Sequence, residues 1–334
     1  MPPRTPAQRL QIHSATALRI LAVTATYYGA GKLGLLEQLV RGQVTPLWPP
    51  TGIAVAALLV LGPYVWPGIT LGAFLVNVWI SPSPLALAMI VAGNTAAPLC
   101  TYLLLRRTGF QTGLDRLRDA FLLVFLGALG PMLISSTAGS AALVLTGALP
   151  VSRFWPTWSV WWTGDAMGVL VVAPLLFVAH EMTWPRDVRP VRWAEAAALA
   201  VGTLLIATVI TTTSFNLLFL ALPLLIWAAF RFQLAGAAPC ALLISTAAVF
   251  GAVRHAGPFT SHDLFRDMVT LQTFNGSVAL TALLLSALIT ERNHTQLQIQ
   301  QLCRQLGEIV GQLSVTGSLQ GLPSRLRGRH QDDS

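Results

Sequence analysis

Charge is scarce in this sequence. Asp, Glu, Lys and Arg make up 10% of its 334 residues, against about 25% in a soluble domain. Such a chain cannot cover a water-facing surface, which argues against a soluble enzyme. Cysteine is equally thin. Cys100 and Cys240 fall inside apolar runs and Cys303 in a polar tail, with no CxxC pair. A thiol redox pair and a zinc cage are therefore not expected, and the three read as small apolar packers. Histidine is missing from the apolar runs. His13, His180, His255, His262, His294 and His330 stand at ends, in loops or in tails, so a membrane haem would lack its ligands. A single Asp lies deep in an apolar run, so the paired carboxylates of an intramembrane aspartyl protease are not there. No Walker loop, kinase motif or cyclase motif occurs. About 44 residues follow the last apolar run, fewer than the 100 or so of a typical catalytic domain. The expectation is a non-enzymatic chain with no cofactor and no metal.

What the sequence has in abundance is apolar run. Residues of the AVILMFWYC set reach 54%, and a spanning helix needs about 20 such residues. Runs lie at 15–38, 52–61, 64–80, 85–105, 119–146, 154–179, 193–211, 216–230, 237–253 and 268–290. The net charge of +8 is spread in short groups between them rather than along one face, so nucleic acid is not an expected partner. The run at 52–61 is short, opened by Trp48-Pro49-Pro50 and closed by Gly62-Pro63. Proline fits a first helical turn and Gly-Pro stops a helix. Reading 52–61 and 64–80 as a hairpin puts Arg106, Arg107, Arg116 and Arg118 on the same side as the N-terminus. Internal loops and the N-terminus then hold ten cations against five outside, as cytoplasmic loops should. The expected fold is an all-α integral membrane bundle of about 8–10 transmembrane segments, multi-pass in a bacterial plasma (inner) membrane, with both termini cytoplasmic.

Residues 1–14 read as an N-terminal flank, 15–290 as the membrane domain, 291–316 as a signalling helix and 317–334 as a flexible basic tail. Ile299, Leu302, Leu306, Ile309 and Leu313 are spaced 3, 4, 3 and 4, an a/d seam with a 3.5-residue period. Gly307 and Gly311 weaken it. A bare coil in water has nothing to bury that seam except a second copy, so a parallel homodimer is expected beside the lipid bilayer. Leu47–Asn77 and Phe219–Val249 share proline, an aromatic step and a glycine near a break. A five-plus-five division would make the two halves inverted.

Ionisable groups deep in a bilayer are expensive and mark function by default. Asp165 lies mid-run, within Trp161-Trp162-Thr163-Gly164-Asp165-Ala166-Met167-Gly168. It either floors an aromatic-lined pocket or bonds a neighbouring helix. Asn77, Asn94, Gln272 and Asn275 are the other polar groups in the runs, and interhelical hydrogen bonds are the plainer role for each. Asn94 is the best placed, four residues before Pro98, whose ring frees a carbonyl and helps shape a cavity. The candidate pocket is Trp48, Pro49, Pro50, Asn94, Trp161, Trp162 and Asp165. His255, His262 and Asp263 share an outer loop and read as solvated residues rather than metal ligands.

Three stretches together resemble a known family. They are Leu47-Trp48-Pro49-Pro50-Thr51-Gly52-Ile53-Ala54, Gly93-Asn94-Thr95, and Trp161 to Gly168 with Ala173-Pro174. In that order and spacing they look like the bacterial membrane-associated sensor domain of the first type, MASE, across roughly residues 15–290. Leu222-Pro223, Trp227, Arg231-Phe232 and Gly257-Pro258-Phe259 fit the same pattern. The resemblance implies a sensory input module in two-component or related signalling. It would relay a stimulus to a histidine kinase, a diguanylate cyclase or another output partner. The alternative reading is a small-molecule membrane transporter, which the broken hairpin and the lone Asp165 also suit. The heptad helix separates the two, because a transporter has no need of it.

Overall fold

A computed structural model describes residues 6–36, 45–182, 189–213, 217–254, 256–259 and 264–320. It is 87% helical, with no strand among the described residues. The helices are α1 (Pro6–Leu35), α2 (Pro49–Leu61), α3 (Trp66–Asn77), α4 (Pro84–Arg107), α5 (Leu117–Leu122), α6 (Met132–Leu145), α7 (Phe154–Met167), α8 (Ala173–Glu181), α9 (Pro190–Thr212), α10 (Ala221–Val253) and α11 (Leu264–Gln320). Six stretches are long and apolar enough to cross a membrane: 84–107, 117–145, 151–181, 190–212, 218–253 and 266–308. The chain is an all-α polytopic membrane protein. It divides into two compact units, Met1–Ile289 and Thr290–Ser334.

Proline breaks the long spans in two places. A wide π turn at Leu123–Leu129 joins α5 to α6, and another at Gly168–Val172 joins α7 to α8. The first has a legible cause. Pro131 has no N–H, so the carbonyl four residues back, Gly127, loses its helical donor. Thr101 Oγ1 on α4 donates to that carbonyl at 2.8 Å, and Trp162 Nε1 on α7 donates to the Leu129 carbonyl at 2.8 Å. Inside a bilayer no water could do this, so neighbouring helices must.

The hairpin α2–α3 forms as the Gly-Pro signal indicates, but it does not start at the membrane edge. Gly62 turns the chain with a φ of 96°, a conformation open to glycine. Gly34 of α1 faces Trp48 and Pro49, whereas Gly68, Gly72 and Val76 of α3 face Ile20, Tyr27 and Gly31 in turn. Hence α2 runs against α1, and α3 runs with it. The Trp48 N–H donates to the Gly164 carbonyl at 3.0 Å, 13 residues after Val151 and 17 before Glu181 in the 151–181 span. The first turn of α2 thus lies mid-bundle. At 13 residues, α2 is about 20 Å long, and the hairpin is re-entrant. Pro49 and Pro50 suit that place, because prolines remove two of the N–H groups that a buried helix start would leave unpaired.

A second reversal lies inside α10. Gln233 has φ 54° and ψ −143°. A Cβ on Gly236 would lie 3.4 Å from the Ala228 carbonyl oxygen, impossible in one continuous helix. Before the break, α10 runs against α9: Gly202 faces Leu224, and Arg231 pairs with Glu195 at 2.6 Å. After it, α10 runs with α9. Thr203 Oγ1 donates to Cys240 Sγ at 3.2 Å, and Gly251 faces Ile210. The sequence runs 216–230 and 237–253 are therefore two antiparallel halves.

The two hairpins correspond. Thr24 Oγ1 on α1 lies 3.2 Å from the Gly68 carbonyl oxygen, and Thr203 Oγ1 on α9 lies 3.2 Å from Cys240 Sγ. Gly68 and Cys240 are 172 residues apart, and the breaks at Gly62 and Gln233 are 171 apart. The halves are not inverted, as a five-plus-five division would make them. Glu181, at the end of α8, accepts a hydrogen bond from Thr112 at 2.8 Å, so α9 starts on the face that carries the loop 108–116. Because α2 runs with α7 and α8 towards that face, α1 also starts there. Six segments, α1 included, precede α9, an even number, so α9 starts on the same face as α1 and the repeat is parallel.

This arrangement puts Arg106, Arg107, Arg116, Arg118, Arg189, Arg192 and Arg231 towards one face, and Arg153 and Arg254 towards the other. Two single-cysteine variants check it. Gln111→Cys and Ala148→Cys lie at opposite ends of the bundle, so a membrane-impermeant thiol reagent applied to intact cells should label one and spare the other. Equal labelling of both would overturn the arrangement.

Candidate functional site

The site is built where three interrupted elements meet. Asp165, on α7, is 1% exposed. Thr51, the third residue of α2, donates through Oγ1 to its Oδ1 at 2.5 Å, and Ser135 of α6 donates through Oγ to its Oδ2 at 2.5 Å. The Trp161 indole is a looser third neighbour of the carboxyl group. Each carboxylate oxygen thus has a hydroxyl donor, and the positive end of the α2 dipole faces the same group. The carboxylate has no salt-bridge partner among the described residues, where the one ion pair is Arg231–Glu195.

Glycine lets these elements come this close. A Cβ on Gly52 would strike the Gly168 carbonyl, one on Gly168 would strike the Trp48 carbonyl, and one on Gly164 would strike the Thr45 carbonyl. On the other side, Gly93 of α4 packs against Ala138 and the Ser135 backbone, and Gly139 of α6 receives the Trp161 ring. The segment 45–48, extended and buried, is laid on the glycine face of α7 as a result. Irregular backbone at this depth is tolerated because protein covers it.

Beside Asp165 lies a cavity of about 20 Å³, lined by Trp48, Asn94 and Trp161 with Leu35, Thr45, Asn77 and Ile80. That is room for about one water molecule. Three of the seven residues singled out in the sequence therefore share one cavity. Pro49 and Pro50 form the adjoining helix start, and Pro49 packs on Gly34. They stand at mid-depth in the bundle. Trp162 points elsewhere. It stacks on Trp158 with ring centroids 5.7 Å apart, and Trp158 meets Trp155 edge to face. The Trp162 N–H is spent on Leu129.

Thr51 and Ser135 were not picked out from the sequence, although they hold the carboxylate. Thr51 stands inside the Trp-Pro-Pro motif and could have been found there. Ser135 could not, since a serine in an apolar helix ordinarily bonds its own preceding turn. Gln272 of α11 donates through Nε2 to Thr163 Oγ1, two residues from Asp165. His255, His262 and Asp263 lie outside the described residues. No group of three metal-ligating side chains occurs among the residues that are described.

A family model for MASE1 matches residues 18–293, most of the chain. The chain belongs to the MASE1 family. MASE1 is a family of membrane-associated sensory domains, and the three motifs that meet at Asp165 all fall within the matched residues. No curated protein and no solved structure matches this MASE1 chain.

Two substitutions test how this MASE1 site is held together. Ser135→Ala leaves one carboxylate oxygen buried without its hydroxyl, which should lower stability by about 1–3 kcal/mol. Gly168→Val forces a side chain into the Trp48 carbonyl and should cost at least as much by overpacking. Thermal unfolding in detergent or nanodiscs reads both. Unchanged melting for either variant would contradict the geometry.

Proposed function

We propose that this MASE1 chain is a non-catalytic input module of the bacterial inner membrane, with both termini cytoplasmic. It senses at the Asp165 site and relays the state of that site through α11. One observation carries the reading. The helix that leaves the bundle, α11, is hydrogen-bonded through Gln272 to Thr163, within one turn of Asp165. A change in the packing of α7 around the carboxylate therefore acts directly on α11. Sensing requires that the stimulus bind two states of the bundle unequally, and the carboxylate held by Thr51 and Ser135 supplies one such state.

The output end is a second copy of the chain. Leu297, Ile299, Leu302 and Leu306 are each more than half exposed in the unit that begins at Thr290. Ile309 and Leu313 continue the 3–4 spacing in sequence, and their side chains lie outside the described residues. Two copies anchored in one membrane present these seams in parallel and in register, as a two-stranded coiled coil needs. A kinase, cyclase or other output partner then reads the pair. The transporter reading draws on the re-entrant hairpins, since parallel repeats also build transporters, but it leaves the exposed seam of α11 without a use.

Cys303 stands beside Leu302 and is exposed, which gives a direct assay. Oxidation of membranes containing the wild-type chain should yield a disulfide-linked dimer. Leu302→Asp with Leu306→Asp should abolish it. Asp165→Asn keeps the shape of the site and removes its charge. It should insert and dimerise normally yet lose any stimulus-dependent change in cross-linking. A wild-type chain that stays monomeric in bilayers would sink the dimer. An Asp165→Asn variant with a full response would sink the site.

A further inference from the structure

Two of the side chains that line the Asn94 cavity spend a donor on the backbone. Asn77 Nδ2 donates to the Ala73 carbonyl at 2.9 Å, and the Thr45 hydroxyl donates to the Leu47 carbonyl at 2.9 Å. Each also keeps an oxygen that can accept a further bond. Asn94 is 6% exposed, and its Oδ1 has no hydrogen-bond partner. A buried amide oxygen without a donor is costly, so this one marks a missing guest. Trp48 and Trp161 supply indole walls, which attract cations. The neighbouring charge is the Asp165 carboxylate, reached through Trp161. No Lys, Arg or His lines the cavity. Lys32 of α1 lies over the Tyr28 ring, 5.5 Å from its centroid. An anion would meet no cationic side chain there and a like charge close by. A cavity of about 20 Å³ admits a species of about the size of water.

We infer that this cavity binds a small monovalent cation that donates hydrogen bonds, ammonium being the member of that class that fits. The inference rests on the sensory reading of the site and names its ligand class. Ammonium presents four N–H donors to the acceptors of Asn94, Asn77 and Thr45, and its charge offsets that of Asp165. Potassium matches it in size and charge and donates nothing, so the two separate cation binding from hydrogen-bond donation.

The full chain in nanodiscs is titrated with ammonium chloride, potassium chloride or tetramethylammonium chloride at constant ionic strength, and thermal unfolding is followed. Ammonium should raise the melting temperature saturably, by about 5 °C at a hundredfold excess over Kd. Tetramethylammonium, too large for the cavity, should do nothing. Asn94→Leu should shift half-saturation by about tenfold or more, and Asn94→Asp, which adds charge in the same shape, should tighten it. A flat ammonium titration of the wild-type chain would overturn the inference and mark the cavity as a water site. A potassium response as strong as that of ammonium would overturn the hydrogen-bond assignment, and equal responses from all variants would overturn the location. The Cys303 cross-linking response is measured on the same samples without ammonium. If it persists and needs Asp165 while the titration is flat, the sensory reading stands and the cation inference falls.

Discussion

A carboxylate in the middle of a bilayer must be supplied with donors, and the bundle is arranged around that demand. An ionised Asp at such a depth costs at least about 2.5 kcal/mol if left alone. Asp165 instead receives Thr51 and Ser135 from two other helices. Meeting that demand requires α2 to begin at mid-depth, because its third residue must reach α7. It also requires α2 and α7 to approach at backbone distance, which Gly52, Gly164 and Gly168 permit. The paired prolines at the start of α2 follow from the same demand. A helix that starts inside a membrane has N–H groups that no water will satisfy, and proline has none to satisfy.

The broken helices serve the same end. The π turn before Pro131 frees carbonyls, which Thr101 and Trp162 take up. The bonds that repair the break thereby tie α4 and α7 to α6, the helix that carries Ser135. The parallel repeat extends this construction. In each half a helix is followed by a re-entrant hairpin, tied back by a threonine. The reversal in the second half falls on Gln233, whose positive φ is strained for a residue with a side chain. The first half holds Asp165 and its cavity against α7. The second half feeds directly into α11.

Function and fold meet at α7. Its one face carries Trp161 and Asp165 and lines the site, and Thr163 on the same helix receives Gln272 from α11. In the proposed reading, a helix that both lines the site and bonds α11 needs no long chain of intermediates to couple them.

Much of this was determined by the sequence alone. Scarce charge, long apolar runs and arginines gathered on alternate loops dictate a polytopic bundle, because a bilayer accepts nothing else. Pro49, Pro50, Gly62 and Pro63 dictate the first hairpin through their backbone chemistry. Asp165 marks itself by its depth, and Trp48, Asn94 and Trp161 by the motifs around them. Other features only the tertiary structure decided. Ser135 looks like any serine in an apolar helix until a turn widened ahead of Pro131 sets the phase of α6 and aims its hydroxyl at Asp165. Trp161 and Trp162 are indistinguishable in a chain, and they part because adjacent helical residues lie about 100° apart, one over Gly139 and the other over Leu129. The gap between the apolar runs at 230 and 237 marks a break near Gln233, but nothing in the pattern says that the chain reverses there. The hand of the repeat depends on how many segments precede each half, and that number follows from where α9 begins rather than from a five-plus-five division. Such features depend on which neighbour a group meets, and a sequence pattern records only what each residue can do.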